Sequence, residues 1–291
     1  MNLSVKTKNL CKQYGIRPAR SKGQNFLIWE NVYEKIVVAA DLQKSDTVLE
    51  VGPGLGFLTE KLAHAVEQVT AVELDDKLAA ILKQRLREQK ISNVEVVNED
   101  ILKADIASLL HCSIATQRTK RSYKIVANLP YNITSRFLRK FLSEIENKPS
   151  LLVLLLQREV AERLTAKPGA MSLLAVSAQF YADVRIIARV SKEAFWPAPK
   201  VESSIVKLEV GSKKLENNEN EKKFFQVVKA GFSARRKQLQ GNLAKHLDMN
   251  SEKIIKEVLR AVGLTERVRA QELSVEQWKQ LFIALRERNV V

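Results

Sequence analysis

Residues 48–56 read Val-Leu-Glu-Val-Gly-Pro-Gly-Leu-Gly, and this stretch decides the fold that the sequence predicts. Its aliphatic run ends in three alternate glycines, and the chain resumes at residues 57–62 as Phe-Leu-Thr-Glu-Lys-Leu. This order predicts a strand, a tight turn and a helix. Glycine lacks a Cβ, so its backbone can turn sharply and let a ligand lie against it. Such a turn is typical of a nucleotide-binding crevice in an open α/β sheet.

The spacing of the glycines separates two classes of ligand. The dinucleotide fingerprint Gly-x-Gly-x-x-Gly, begun at Gly52 and Gly54, requires a glycine where this chain has Phe57. A dehydrogenase is therefore disfavoured. The pattern Glu50-x-Gly52-x-Gly54-x-Gly56 instead resembles the first motif of class I S-adenosylmethionine-dependent methyltransferases.

An acidic residue at the end of the next predicted strand supports this interpretation. Residues 69–74 are predicted to form that strand, and Glu73 lies near its end. A carboxylate there can accept hydrogen bonds from both ribose hydroxyls of a bound adenosine. A glycine-rich turn alone can be a plain loop, but Glu73 at this position favours a cofactor site.

Composition indicates a chain that can build a core of one large or two modest domains. It has 291 residues, of which 45% are hydrophobic. No apolar run reaches the ~18 residues of a membrane span, and the first residues lack the apolar segment of a secretory signal. Cys11 and Cys112 do not have the spacing of a disulfide framework or a thiolate metal site. We expect a cytoplasmic protein without a metal.

The charge predicts a polyanionic partner. The formal net charge is +15 and the sequence pI is about 9.7. Residues 1–29 contain basic but no acidic side chains, and basic residues outnumber acidic ones in residues 222–291. A ribosome, a nucleic acid and an anionic membrane would all attract such a chain, so charge alone leaves the partner open.

Composition shifts divide the chain into four segments. Residues 1–23 are predicted to be a basic arm that orders on a partner, with a mitochondrial transit peptide as the competing interpretation. Residues 24–209 are the predicted catalytic domain, and its first residues, Gln-Asn-Phe-Leu after Gly23, suit a lid over an adenosine. Residues 210–221 are a charged linker, and residues 222–291 form a small all-α domain.

Alternating strand and helix patterns predict a parallel sheet covered on both faces. The predicted strands are residues 47–51, 69–74, 94–97, 124–127 and 151–156. The predicted helices are residues 30–41, 57–65, 76–89, 134–145, 158–164, 171–180, 253–262 and 275–286. Residues 184–190 and 204–209 are predicted as an antiparallel pair at the sheet edge.

Asp100, followed by Ile101, comes after the third of these strands. Its carboxylate can accept a hydrogen bond from the exocyclic amine of a cofactor adenine, while Ile101 packs on the ring. The alternative is a helix N-cap, which is a common use of Asp.

The tetrapeptide Asn128-Leu129-Pro130-Tyr131 follows the fourth strand. It resembles the (Asp/Asn/Ser)-Pro-Pro-(Tyr/Phe) motif of enzymes that methylate exocyclic amines of nucleobases. Such an amine is a poor nucleophile because its lone pair is delocalised into the ring. If the Asn128 side-chain oxygen and the Leu129 carbonyl hold its hydrogens, the lone pair can aim at a sulfonium methyl, and alignment supplies much of the rate.

Two aromatic residues are candidates for binding an extruded base. Tyr131 offers a ring face for stacking, which contributes on the order of 1 to 3 kcal/mol per base. Phe195, at the start of Phe-Trp-Pro-Ala-Pro-Lys-Val-Glu-Ser at residues 195–203, is the second candidate. A Pro-rich turn with aromatic residues can also be an ordinary packed loop.

These motifs occur in the order and spacing of the ribosomal RNA adenine dimethyltransferases, and the chain resembles that family over residues 17–278. Residues 232–239 and 269–274 are similar to its bacterial small-subunit branch. The resemblance implies a class I, Rossmann-like fold with a mostly parallel seven-stranded sheet and a small all-α C-terminal domain. It also implies transfer of two methyls to each of two adjacent adenosines near the 3′ end of 16S rRNA, a role in small-subunit biogenesis, and a monomer.

The resemblance also implies a set of site residues. Those expected to contact S-adenosylmethionine are Asn25, Leu27, Gly52, Glu73, Asp100 and Asn128. Those expected to hold the adenine are Asn128, Leu129, Tyr131 and Phe195. Lys22 and Trp196 depart from the family pattern. Neither is placed at the expected chemistry, and Lys22 is the one whose position can affect the lid.

The run Arg235-Arg236-Lys237 is expected to bind RNA phosphates without reading sequence. The alternative is a solvated helix face. Joint neutralisation of phosphates by the three side chains would make binding weaken steeply with salt.

Two functions other than dimethylation of small-subunit rRNA are alternative interpretations of this sequence. One is a large-subunit rRNA dimethyltransferase of the antibiotic-resistance type, against which Leu129 and the C-terminal domain argue. The other is a non-catalytic ribosome-assembly or transcription factor with the same fold, which the presence of Asn128, Tyr131 and Glu73 disfavours.

Overall fold

A computed structural model describes residues 2–18, 24–110, 122–211, 215, 218–246 and 252–291. Lys22, for which an effect on the lid was expected, lies outside these residues. Among the helices of the described part, none is long and apolar enough to cross a membrane. The same residues contain no cluster of three or more potential metal ligands.

The centre of the fold is a seven-stranded sheet of mostly parallel strands, which confirms the predicted fold class. A separate two-stranded ribbon pairs β1 with β8. The strands are β1 (Phe26–Leu27), β2 (Thr47–Val51), β3 (Gln68–Glu73), β4 (Val94–Asn98), β5 (Tyr123–Asn128), β6 (Leu151–Gln157), β7 (Ala182–Val190), β8 (Phe195–Trp196) and β9 (Ser203–Val210).

Helices connect these strands or follow them. They are α1 (Leu3–Gln13), α2 (Glu30–Ala39), α3 (Phe57–Ala65), α4 (Asp76–Glu88), α5 (Ile106–Leu109), α6 (Thr134–Arg139), α7 (Arg158–Leu164), α8 (Leu173–Tyr181), α9 (Asn218–Gly231), α10 (Leu239–His246), α11 (Glu252–Ala261) and α12 (Val275–Glu287). The helix predicted over 134–145 ends earlier than expected, because α6 passes into a π-helical segment at Lys140–Glu144.

The strand order places a crevice at the end of β2. The sheet runs β4-β3-β2-β5-β6-β9-β7, so the chain moves outward from β2 to β4 and then returns to β5 on the other side of β2. Ligands of open α/β sheets bind at such a reversal, outside the carboxyl ends of the strands. Val51 lies opposite Ala127, so the residues after β2 and those ending β5 are neighbours.

The two strands predicted at the sheet edge, now β7 and β9, are neighbours there. They are not consecutive in the chain, because the short strand β8 lies between them. β9 inserts between β6 and β7 and runs antiparallel to β6. β6 is buried along residues 151–156, as its uniformly aliphatic sequence requires. β7 forms the edge, with side chains that alternate between exposed and half-buried.

The N-terminal segment contains a helix that the sequence did not predict. Asn2 caps α1 by accepting a hydrogen bond from the Ser4 amide at 2.9 Å. Thr7 and Cys11 are buried, and Cys11 and Leu10 pack with the hydrophobic core that contains Leu27. This face has helical spacing, but only part of it is strongly apolar, so the sequence pattern did not reveal the helix.

Contacts divide the chain into two compact units. The first comprises residues 1–161 and 183–211 and contains the sheet; the second comprises residues 162–182 and 212–291 and is helical. Residues 162–182 therefore group with the C-terminal helices, whereas the sequence predicts them within the catalytic domain, before the linker. The reason is aromatic packing: the Phe180 ring stacks on Phe224 at 4.8 Å between centroids, and Tyr181 stacks on Phe225 at 5.7 Å.

Candidate functional site

A cavity of about 130 Å³, open to solvent, lies at the carboxyl ends of β2, β3 and β5 in the first unit. The glycine turn and the Asn-Leu-Pro-Tyr segment line this same cavity. Its lining residues are Gln24, Asn25, Phe26, Leu27, Tyr33, Glu50, Gly52, Pro53, Gly54, Leu55, Phe57, Leu58, Glu73, Leu74, Asp75, Leu78, Asn128, Leu129, Pro130 and Tyr131.

The glycine turn after β2 needs glycine at its first and last positions. Gly52 has φ +68°, and a Cβ built on it would lie 3.7 Å from the Asn128 carbonyl oxygen. Gly56 begins α3 with φ +86°, and a Cβ there would lie 2.4 Å from a methyl carbon of Leu82. The turn therefore brings bare backbone to the cavity at one end and packs tightly on α4 at the other.

Glu73 holds the ends of two loops with one carboxylate. Its Oε2 accepts the Gly54 amide hydrogen and its Oε1 accepts the Asp75 amide hydrogen, both at 3.0 Å. The residue is 7% exposed, and burial raises its pKa, while the hydrogen bonds from Asp75 and Gly54 lower it. Each oxygen retains lone-pair capacity on the cavity side for hydroxyl donors.

Glu50 is a lining residue that belongs to the glycine motif but is not among the site residues predicted from the sequence. It is 1% exposed, and its Oε2 has no hydrogen-bond partner in the described part of the chain. Burial raises the pKa of Glu50 to about 8; the Thr59 hydroxyl lowers it and the charge of Glu73 raises it. A buried, unsatisfied carboxyl on a cavity wall suits a cationic ligand, because such a ligand compensates the cost of ionisation.

The lid residues Asn25 and Leu27 also face this cavity. The Asn128 amide nitrogen donates a hydrogen bond to the Asn25 carbonyl oxygen at 3.5 Å, a long bond. Leu27 is buried and pairs with Phe195 in the β1–β8 ribbon. Its carbonyl accepts a hydrogen bond from the buried Tyr33 hydroxyl at 2.9 Å, a contact that the sequence did not reveal.

The Asn128–Tyr131 segment presents two acceptors to the cavity. Because Nδ2 of Asn128 points to Asn25, its Oδ1 is the acceptor that remains, and no described residue donates to it. No described residue donates to the Leu129 carbonyl oxygen either, although the Leu129 side chain is buried. The Tyr131 hydroxyl lies 2.7 Å from Oγ of Ser203, a contact that the sequence did not predict.

Two predicted site residues do not line the cavity. Oδ1 of Asp100 accepts the Leu102 amide hydrogen at 3.0 Å within a turn, whereas the N-cap of the following helix α5 is Asp105, which accepts the Ala107 amide hydrogen. Phe195 is 3% exposed and belongs to the hydrophobic core that includes Leu27. In this structure Phe195 supports the lid ribbon, as in the packed-loop alternative.

The basic run lies in the second unit. Arg235, Arg236 and Lys237 occupy the turn between α9 and α10, so they do not form the helix face considered as the alternative. All three are exposed, and none forms an ion pair with a described residue. Their charge is available to an external anion.

Comparison with known proteins gives one consistent family. A family model described as ribosomal RNA adenine dimethylase matches residues 17–287. A protein of Dehalococcoides mccartyi named ribosomal RNA small subunit methyltransferase A is 41% identical over 286 residues, covering 98% of this chain and 94% of its own. A protein of the same name from Clostridioides difficile is 38% identical over 277 residues, covering 94% and 93%.

Solved structures agree with these relatives. A dimethyladenosine transferase from Plasmodium falciparum matches with a TM-score of 0.77 and 26% identity, covering 90% of this chain and 97% of the other. The 23S rRNA methyltransferase ErmE matches with a TM-score of 0.72 and 28% identity, covering 90% and 100%.

Proposed function

The chain belongs to the ribosomal RNA adenine dimethylase family, and from that premise we propose how it acts on the small ribosomal subunit. It is an S-adenosylmethionine-dependent enzyme that transfers methyl groups to the exocyclic amines of two adjacent adenosines near the 3′ end of 16S rRNA, two to each, during small-subunit biogenesis. The observation that carries the mechanism is that Gly52 and Asn128 face one cavity.

The cavity has the donors and acceptors that the cofactor needs. S-adenosylmethionine, when bound, supplies an electrophilic methyl on a positively charged sulfur. Glu73 would accept its ribose hydroxyls, and the bare backbone at Gly52 lets the chain approach it closely. Glu50, whose Oε2 has no partner among the described residues, is protonated in the free protein at pH 7 and would ionise beside a cationic ligand. Asn25 and Leu27 would close the site from the lid.

Asn128 and Leu129 would hold the target amine. The Asn128 Oδ1 and the Leu129 carbonyl oxygen are two acceptors without donors among the described residues, and they match the two hydrogens of an adenine amine. Holding both hydrogens directs the nitrogen lone pair out of the ring plane, toward the methyl. No strong base is needed, because the nitrogen proton becomes acidic once the methyl has transferred.

Tyr131 would hold the base itself. It lines the cavity beside Asn128, so an adenine swung out of the RNA can stack on its ring. Asp100 and Phe195 remain proposals for the cofactor adenine and the second aromatic contact. Both would need to approach the cavity on binding, because neither lines it in this structure.

The RNA would be held mainly by charge. Arg235, Arg236 and Lys237 are exposed and carry no ion pair with the described residues, and the formal net charge is +15. Such contacts position a nucleic acid but do not read its sequence. We propose that the protein acts as a cytoplasmic monomer.

The first test measures methyl transfer to ribosomal subunits. Labelled methyl from S-adenosylmethionine should enter small subunits isolated from cells that lack this gene, and mass spectrometry should find it on adjacent adenosines of 16S rRNA. Incorporation only into large-subunit RNA would support the second type of dimethyltransferase. Incorporation into neither, with intact cofactor binding, would support an assembly factor.

A pair of variants tests the chemical role of Asn128. Asn128→Ala should lower kcat by about 100-fold or more, because alignment of the amine is lost, with cofactor affinity changed only a few-fold. Asn132→Ala is the matched control, since Asn132 is exposed in the same turn. Unchanged turnover by Asn128→Ala would reject its proposed role.

A further inference from the structure

A pair of hydroxyls joins the turn that carries Tyr131 to the sheet. Oη of Tyr131 and Oγ of Ser203 lie 2.7 Å apart, and Ser203 is fully buried. Ser203 is the first residue of β9 and pairs with Gln157 of β6. Since β9 lies between β6 and β7, the position of the Ser203 hydroxyl is fixed by the sheet.

The segment that carries Tyr131 is less constrained than β9. Tyr131 begins a single 3-10 turn, Tyr131–Ile133, directly after Pro130, and its side chain is half-buried on the cavity wall. Ser203 is its one hydrogen-bond partner among the described residues. Oη lies on the axis about which the ring turns, so a bond there restricts χ1 and the position of the ring. A phenol forms hydrogen bonds preferentially in its ring plane, and this preference favours one direction of the ring face.

On the basis of the function proposed above, we propose that Ser203 is a positioning residue for methyl transfer. Its hydroxyl holds the Tyr131 ring in the orientation that stacks the target adenine. The phenol oxygen is occupied by this bond, and the two ring faces remain for stacking. Burial also raises the pKa of Tyr131, so the phenol stays neutral at pH 7 and the ring carries no charge.

The next residue gives a natural comparison. Ser204 is also fully buried, but its Oγ has no hydrogen-bond partner in the described part of the chain. Successive side chains of a strand point to opposite faces, so Ser204 points away from the side on which Ser203 meets Tyr131. The two serines share burial and strand and differ in the tyrosine contact.

The test combines Ser203→Ala, Tyr131→Phe and the double variant, with Ser204→Ala as the control. Each is assayed on unmethylated small subunits. Ser203→Ala and Tyr131→Phe should each lower kcat by on the order of tenfold, the effect of one lost hydrogen bond. The double variant should be no more than about twofold worse than either single variant, because both remove the same bond. The cofactor dissociation constant should not change.

A spectroscopic readout separates positioning from general stability. A short RNA with 2-aminopurine at the target adenine reports stacking through quenching of its fluorescence. Wild type and Ser204→Ala should quench the probe, whereas Ser203→Ala should leave it brighter. The inference would be overturned if Ser203→Ala quenched the probe and turned over as the wild type does. It would also be overturned if the loss of kcat in the double variant equalled the product of the losses in the two single variants.

The remaining outcomes are also decisive. If Ser203→Ala does not fold, Tyr131→Phe decides the question, because it removes the same bond by a change at the half-buried partner. Wild-type activity in Tyr131→Phe would then reject the inference while leaving the proposed function intact. If the wild-type protein transfers no methyl to small subunits, the proposed function fails and this inference fails with it.

Discussion

Oε2 of Glu73 accepts a hydrogen bond from the amide of Gly54 at 3.0 Å, and this bond ties the end of β3 to the glycine turn after β2. The other carboxylate oxygen accepts the Asp75 amide hydrogen at the same distance. One side chain therefore shapes two loops and lines the cavity between them. Buried backbone N–H groups require such partners, so the carboxylate has a structural role as well as the proposed role in cofactor binding.

The first prediction concerns the number of acceptors that Glu73 provides. Glu73→Gln has nearly the same shape, but its amide has one acceptor oxygen where the carboxylate has two. One backbone N–H donor keeps its acceptor, and the other backbone N–H faces the NH₂ group of the amide. We expect cofactor affinity to fall by at least about tenfold, since a lost buried bond of this kind is worth ~1 to 3 kcal/mol. Isothermal titration calorimetry measures it. Glu34→Gln, at an exposed position of α2, is the control, and equal affinities in the two variants would contradict the prediction.

The second prediction concerns the pH dependence of stability. The pKa of the Glu50 carboxyl is about 8 in the folded protein, against 4.5 ordinarily. Between about pH 4.5 and 8 the folded state therefore holds a proton that the unfolded state has lost. The stabilisation from this group is complete below pH 4.5 and is lost as the pH rises through 8. Its slope is at most ~1.4 kcal/mol per pH unit.

Glu50→Gln removes this titration and keeps the shape of the neutral acid. The free energy of unfolding of the variant should therefore fall less steeply between pH 5 and 8 than that of the wild type. Urea unfolding at several pH values measures the two slopes. Parallel curves would show that Glu50 is ionised in the folded protein, against the assignment made from its burial.

The sequence predicted the sheet and the location of the crevice because both follow from local patterns. Carboxyl ends of parallel strands meet at one edge of a sheet, so Gly52, Glu73 and Asn128 could be placed together before any coordinates. The bounds of β2 and α3 also agree with the prediction, since glycines mark the boundary between them. Such signals are contained in a few neighbouring residues.

The contacts that the sequence did not reveal are between distant residues. Ser203 is 72 positions from Tyr131, and no spacing rule links a serine on one strand to a tyrosine on a turn. Asp100 accepts a hydrogen bond within its own turn, and Phe195 is buried in the core. Both placements depend on how the loops pack against the rest of the domain, which the type of side chain does not determine. Glu50 lay inside the motif, but only its burial distinguishes it from an ordinary strand residue.

The third prediction tests the packing of the glycine turn. Gly56→Ala places a Cβ 2.4 Å from Leu82 at φ +86°, so it combines backbone strain with a steric clash. Gly263→Ala, at φ +73° with no atom within 4 Å, has the strain alone and is the matched control. We expect Gly263→Ala to cost ~1 to 2 kcal/mol and Gly56→Ala to cost ~1 to 3 kcal/mol more. Chemical denaturation measures both, and equal losses would mean that Leu82 moves aside freely.

The last prediction concerns the basic turn of the second unit. Replacing Arg235, Arg236 and Lys237 by Ala should weaken binding to small-subunit RNA and flatten its dependence on salt. Each phosphate contact contributes a slope of about 0.7 to 0.9 in a plot of log affinity against log salt, so three contacts contribute roughly 2 to 3. Filter binding between about 50 and 200 mM salt measures the slope. Cofactor affinity should be unchanged, since these residues do not line the cavity.

The control for this variant removes charge elsewhere. Lys83 and Arg87 are exposed on α4, and neither forms an ion pair with a described residue. If RNA binding depended only on the net charge, Lys83→Ala/Arg87→Ala would lower the salt slope as much per charge as the triple variant does. We expect a much smaller change per charge, because counterion release requires contact with phosphates. Equal slopes per charge would show that the Arg235–Lys237 turn is not a specific contact surface.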